Sequence, residues 1–89
     1  MATVNFTRWL KGIAPGGPIE IEGETVGRVL ERLFAENDST RNYVLDEQGQ
    51  LRKHVCIFLD GERLAHESAL AAPIAANSEI YVMQALSGG

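Results

Sequence analysis

Cys56 is the single thiol in this sequence, and His54 and His66 are its two imidazoles. A nucleophilic or sulfur-relay role for Cys56 needs a neighbour that stabilises the thiolate; alone between Val55 and Ile57, it reads instead as a small packing residue. One cysteine can neither close an internal disulfide nor supply a zinc-binding pair, so nothing asks for an oxidising compartment. His54 and His66 flank a tight turn with no third ligand defined, so both are read as solvated surface groups and no metal site is expected. Glu20, Glu22 and Glu24 recur at every second position, a run that keeps an outer face wet and can favour a basic partner groove. The remaining group with chemical potential is the terminal carboxylate of Leu86-Ser87-Gly88-Gly89. Glycine lacks a Cβ, so it takes conformations other residues avoid and lets the backbone pass through a narrow channel. Four extended residues from Leu86 to Gly89 reach about 13 Å.

These groups ride on a short chain. The 89 residues, 45% hydrophobic and 22% charged, fit one small domain. At this size only about 60% of the unfolded surface is buried on folding, which argues against a deep catalytic cleft between lobes. Lys plus Arg number 8 against 12 Asp plus Glu, a net charge of -4, the wrong sign for tracking phosphates. Nucleic acid is therefore not an expected partner. The first eight residues alternate polar and apolar, unlike the unbroken apolar run of roughly 7 to 15 residues in a signal peptide. No stretch approaches the roughly 20 apolar residues of a membrane span, so a cytoplasmic protein without membrane contact is expected.

The elements that must carry the terminal carboxylate follow from periodicity. Ala2, Val4 and Phe6 share one face of a strand that Trp9 and Leu10 interrupt, where a bulge is expected. After the turn-rich Gly12 to Pro18, Ile19-Glu20-Ile21-Glu22 resumes the alternation, giving an N-terminal hairpin. Val26, Val29, Leu30, Leu33 and Phe34 then form one helical stripe. Thr25 is its natural N-cap, with Glu24 beside the positive helix end. Arg28 stands where a capping box wants Glu or Gln, so the cap is incomplete. Gly27 in that helix costs about 1 kcal/mol relative to Ala, which points to close packing or to tolerance near the end. Glu36-Asn37-Asp38-Ser39-Thr40 reads as a turn cluster, Tyr43-Val44-Leu45 as a return to the core, and Asp46 to Gln50 as a loop. Val55, Ile57 and Leu59 define a third strand that ends in the tight turn Asp60-Gly61, with Glu62-Arg63-Leu64 returning from it. Ala65 to Ala76 reads as a connector anchored by Leu70 and Ile74. Ile80 and Val82 mark the last strand.

Strands, one helix, then strands again, with a single apolar helical stripe, call for a mixed sheet covered on one face. A helical crossover places the first and last long strands parallel and adjacent. The predicted fold is α+β, a β-grasp or ubiquitin-like mixed sheet with one main helix. Residues 1–85 are read as the domain and 86–89 as a flexible C-terminal tail.

On this framework the segment from Asn77 to Gly89 resembles the closing strand and tail of the MoaD/ThiS family of ubiquitin-like sulfur carriers. Thr25-Val26-Gly27-Arg28-Val29-Leu30 resembles that family's helix start, and Val55 to Glu62 its third strand and turn. The likeness spans essentially the whole chain, with the glycine tail as its sharp motif. The length and the loop from Asp46 to Lys53 are most similar to the carriers of cysteine synthesis. Asn77-Ser78 stands where relatives often carry Asp-Gly-Asp, and Gln84-Ala85 where they often carry proline, which leaves the subfamily open.

The resemblance implies a carrier rather than an enzyme. A partner adenylyltransferase of the ubiquitin-activating type would join the Gly89 carboxylate to AMP from ATP, and sulfide from a sulfurtransferase would replace AMP to leave a thiocarboxylate. Gly88 would give access, and Leu86 and Ser87 would thread into partners. No cofactor would be bound by the chain itself, ATP being used by the activating enzyme. The acceptor would be an enzyme such as a cysteine synthase or a molybdopterin synthase large subunit, serving cysteine, thiamin, molybdopterin or a thio-natural product. The alternatives are the small subunit of molybdopterin synthase, a ubiquitin-like modifier conjugated through Gly89, and an interaction module whose tail has no chemistry. If Ile80, Val82, Val55 and Ile57 pack under the helix, then Tyr81, Met83, Phe58 and with them Cys56 fall on the opposite face. That apolar cluster is read either as a partner surface or as a face covered by the Trp9 region or the 65–76 connector.

Overall fold

The structure, a computed structural model, describes residues 1–6 and 18–84. The bulge expected at Trp9 lies outside them. Alternation at the start of the chain produces strand β1 (Ala2–Phe6), with Ala2 and Val4 buried. β2 (Ile19–Ile21) returns antiparallel to it, pairing Ala2 with Ile21 and Val4 with Ile19.

Helix α1 (Val26–Phe34) buries all five residues of its stripe, and Thr25 caps it as its sequence position predicts. Thr25 is extended at φ −135° and ψ 164°, and its hydroxyl oxygen accepts from the Arg28 N–H at 3.1 Å, satisfying one of the free donors of the first turn. Val29 and Leu30 lose all solvent contact, each such burial stabilising by about 1.5–3 kcal/mol. The helix stops where the Asn37 amide donates to the Leu33 carbonyl at 2.8 Å and the chain turns.

There the structure departs from the sequence reading. The cluster read as a turn opens a second helix, α2 (Asp38–Val44). Asp38 sits in its first turn, where a carboxylate meets the positive helix end, and Thr40 and Val44 form its buried side. Because Thr40 is polar, an inward position reads from sequence as outward. Leu45 and Leu51 then pair across the Asp46–Gln50 loop.

β3 (Val55–Leu59) and β4 (Glu62–Arg63) form the expected hairpin about Asp60-Gly61, both turn residues having positive φ. A 3-10 turn over Ala69–Ala71 interrupts the 65–76 connector. Ala69 is buried, and Leu70 and Ile74 pack against the core as expected of its anchors. The connector is pinned to the start of α1 by the Val26 N–H donating to the Ala72 carbonyl and the Ile74 N–H to the Glu24 carbonyl.

β5 (Glu79–Gln84) fills the middle of the sheet. It runs parallel to β1, Val4 beside Ile80 and Phe6 beside Val82, and antiparallel to β3, Ile57 also beside Val82. The strand order is β2-β1-β5-β3-β4. Ile80, Val82, Val55 and Ile57 lie under α1 in one apolar core, as their alternation requires.

Candidate functional site

The site is organised by β5, the strand that leads toward Gly89. Leu86, Ser87, Gly88 and Gly89 lie outside the described residues; the structure places the strand that precedes them and the surfaces around it.

On the face away from α1, the β3–β5 register sets Phe58 opposite Tyr81 and Cys56 opposite Met83. Side chains directly opposite on one face of an antiparallel pair are in contact range, so the three sequence-predicted docking residues, Phe58, Tyr81 and Met83, form one cluster. Tyr81 is 40% exposed, while Phe58 and Met83 are half-buried. Cys56 is buried, as a packing residue is, and its thiol is free. Arg63 flanks the cluster opposite Phe58, and Asn5 flanks it opposite Tyr81. The Nδ2 of Asn5 is buried without a hydrogen-bond partner among the described residues. Nothing in the sequence signals that orphaned donor.

The exit of β5 carries a contact that sequence reasoning missed. Gln84, the last described residue, continues the inward set Ile80 and Val82, a position that the alternation reserves for apolar side chains. The Tyr43 hydroxyl of α2 donates to its Oε1 at 3.2 Å. The Tyr43 ring stands edge-on to His54, with centroids 5.0 Å apart and planes at 80°. The signal that could have found this was Gln84 itself, a polar residue in an apolar register.

The loop beside α2 is held by one carboxylate. Asp46 Oδ1 accepts from the Gln50 N–H at 2.9 Å and the Gln48 N–H at 2.8 Å. The Gln50 bond is the main cause that keeps its carboxyl below the ordinary aspartate range; partial burial opposes it, and the Gln48 bond, Arg52 and Arg41 add to it. His66 is exposed and its Nε2 meets the Arg52 carbonyl at 3.0 Å, apart from His54. Among the described residues no group of three or more His, Cys, Asp or Glu is placed to hold a metal ion, and no helix is long and apolar enough to cross a membrane. A groove of about 700 Å³ lies among α1, α2 and the 3-10 turn, lined by Leu30, Phe34, Leu45 and Leu70 but by no residue of β5. Its position ties it to the helical layer.

The chain aligns from end to end with solved structures. A chain of the Amycolatopsis orientalis BexX/CysO complex matches with a TM-score of 0.84 at 18% identity, all of both chains being covered. Mycobacterium tuberculosis CysO, described as an antigen, matches with 0.82 at 24% identity, over 97% of this chain and 100% of that one. Small archaeal modifier protein 1 from Methanosarcina acetivorans matches with 0.82 at 22% identity, over 99% and 95%. No protein-family model and no curated protein sequence matches the chain. The likeness defines the fold class: an α+β β-grasp of the ubiquitin-like type, with a five-stranded mixed sheet and two α-helices among the described residues.

Proposed function

We propose that this chain is a sulfur carrier protein whose Gly89 carboxylate is activated and loaded by other enzymes. The observation that carries the reading is the placement of β5: the central strand of a β-grasp body ends at Gln84, five residues before Gly89, in the register Val4–Ile80 and Ile57–Val82. The likeness to the CysO structures supports it. In the first step a Gly89 carboxylate oxygen attacks the α-phosphorus of ATP on an adenylating enzyme; the acyl-adenylate forms and pyrophosphate leaves. In the second, sulfide attacks the acyl carbon and AMP leaves, giving a thiocarboxylate. An acceptor enzyme then takes the sulfur. The chain is a co-substrate in all three steps, and ATP binds its partner. Gly88 leaves the approach to the acyl carbon unobstructed, and Tyr81, Met83 and Phe58 provide the docking face.

The likeness to small archaeal modifier protein 1 favours a second reading, in which the same activated Gly89 forms an isopeptide bond with a lysine of another protein. Intact-mass measurement after incubation with ATP, sulfide and a cognate adenylating enzyme separates the two. Exchange of one oxygen for sulfur at Gly89 is the expected result. Covalent attachment to other proteins identifies a modifier, and an unchanged mass refutes both.

A further inference from the structure

From the contact at the end of β5, we infer that Tyr43 is a positioning residue: its hydroxyl, bonded to Gln84 Oε1, fixes the last described residue of the central strand against α2 for the adenylating enzyme that docks there. The inference rests on the carrier reading and deepens it by naming a residue that acts through Gln84. Three observations carry it. Gln84 is polar in the inward register after Ile80 and Val82, and half-buried there its side-chain amide gains from a partner. Its partner comes from α2, 41 positions earlier, so the bond ties the helical layer to the last described residue of the central strand. The Tyr43 ring is held edge-on by His54, and His54 directly precedes Val55, the residue registered with Gln84. Strand, helix and loop thus converge on one residue at the root of the terminal segment. An enzyme that must dock this end of the strand gains from a substrate whose Gln84 is already fixed, because less orientational freedom is lost on binding.

The test uses the full chain and two independent readouts. Tyr43→Phe keeps the ring on His54 and removes only the donor; Gln84→Leu removes the acceptor, and Gln84→Glu restores one. In hydrogen exchange of the isolated protein, Tyr43→Phe and Gln84→Leu are expected to speed exchange at the Gln84 amide about three- to tenfold, the range of one neutral hydrogen bond. Exchange at Ile57 and Ile80 should stay unchanged. In ATP-dependent adenylation, both variants should raise KM for the carrier by a similar factor with kcat unchanged. Gln84→Glu should stay near wild type, and the double variant should be no worse than either single one. Unchanged exchange at Gln84 overturns the contact whatever the enzyme does. Faster exchange with unchanged KM overturns the positioning role while leaving the carrier reading intact. A wild-type chain that no adenylating enzyme accepts, although the exchange effect is present, refutes the carrier reading and the positioning role with it.

Discussion

Gly27 of α1 admits the Leu70 carbonyl so closely that a Cβ on Gly27 would stand 2.8 Å from its oxygen. This settles why glycine occupies a helix interior, where it costs about 1 kcal/mol relative to alanine. The carbonyl belongs to the backbone of the 3-10 turn, and the residues just after that turn, Ala72 and Ile74, are tied to Val26 and Glu24, so it has little room to retreat. Overpacking of this kind costs about 1–3 kcal/mol, more than the propensity returns. Gly27→Ala is therefore expected to destabilise by about 1 kcal/mol in urea unfolding; a gain in stability would show that the connector yields.

Gly61 has φ 89° and Asp60 φ 50°, the pair of positive values that a two-residue hairpin turn requires. A Cβ at Gly61 meets no neighbour, so the penalty there is purely conformational. Gly61→Ala should cost about 1–2 kcal/mol, read as a lower denaturation midpoint with an unchanged slope. Alanine at Gly49, also at positive φ and also unobstructed, should behave alike.

Asp46 gives the protein a pH signature. Its carboxyl is held below the ordinary range when folded, chiefly by the Gln50 N–H. The sign follows from proton linkage: the folded state favours the ionised form, so the stabilisation is complete above the unfolded aspartate value of about 3.9 and is lost as pH falls through the lower folded one. The stability difference between wild type and Asp46→Asn should be constant above about pH 5 and shrink below about pH 4. A gap that does not change with pH would remove Asp46 from the acid response.

Tyr81 separates stability from binding. At 40% exposure it leaves much of its ring uncovered, and its cross-strand pairing with Phe58 is worth about 0.2–1 kcal/mol. Tyr81→Ser should cost no more than that in unfolding. If the face docks the adenylating enzyme, the same change should weaken binding at least tenfold, since exposed tyrosines at an interface centre dominate its energy. Titration calorimetry with that enzyme reads the effect, and an unchanged affinity would move the docking surface elsewhere.

Most of the body was legible because its elements have clean periods. The stripe from Val26 to Phe34, the cap at Thr25 and the alternations from Val55 and Ile80 each gave type and facing at once. The second helix was not legible, because Thr40 holds a buried position with a polar side chain and the preceding Asn37-Asp38-Ser39 is equally at home in a turn. That Phe58, Tyr81 and Met83 share the face away from α1 followed from strand alternation alone. The Tyr43–Gln84 bond did not, since no local pattern links residues 41 positions apart; only the misplaced polarity of Gln84 pointed to a partner.

The sheet is bordered by its two shortest strands, three residues in β2 and two in β4, and Glu20, Glu62 and Arg63 stand exposed along them. Borders so brief and so charged give a stray ribbon almost nothing to zip onto. If the chain is the carrier proposed above, such borders let it accumulate in bulk without templating its own fibres.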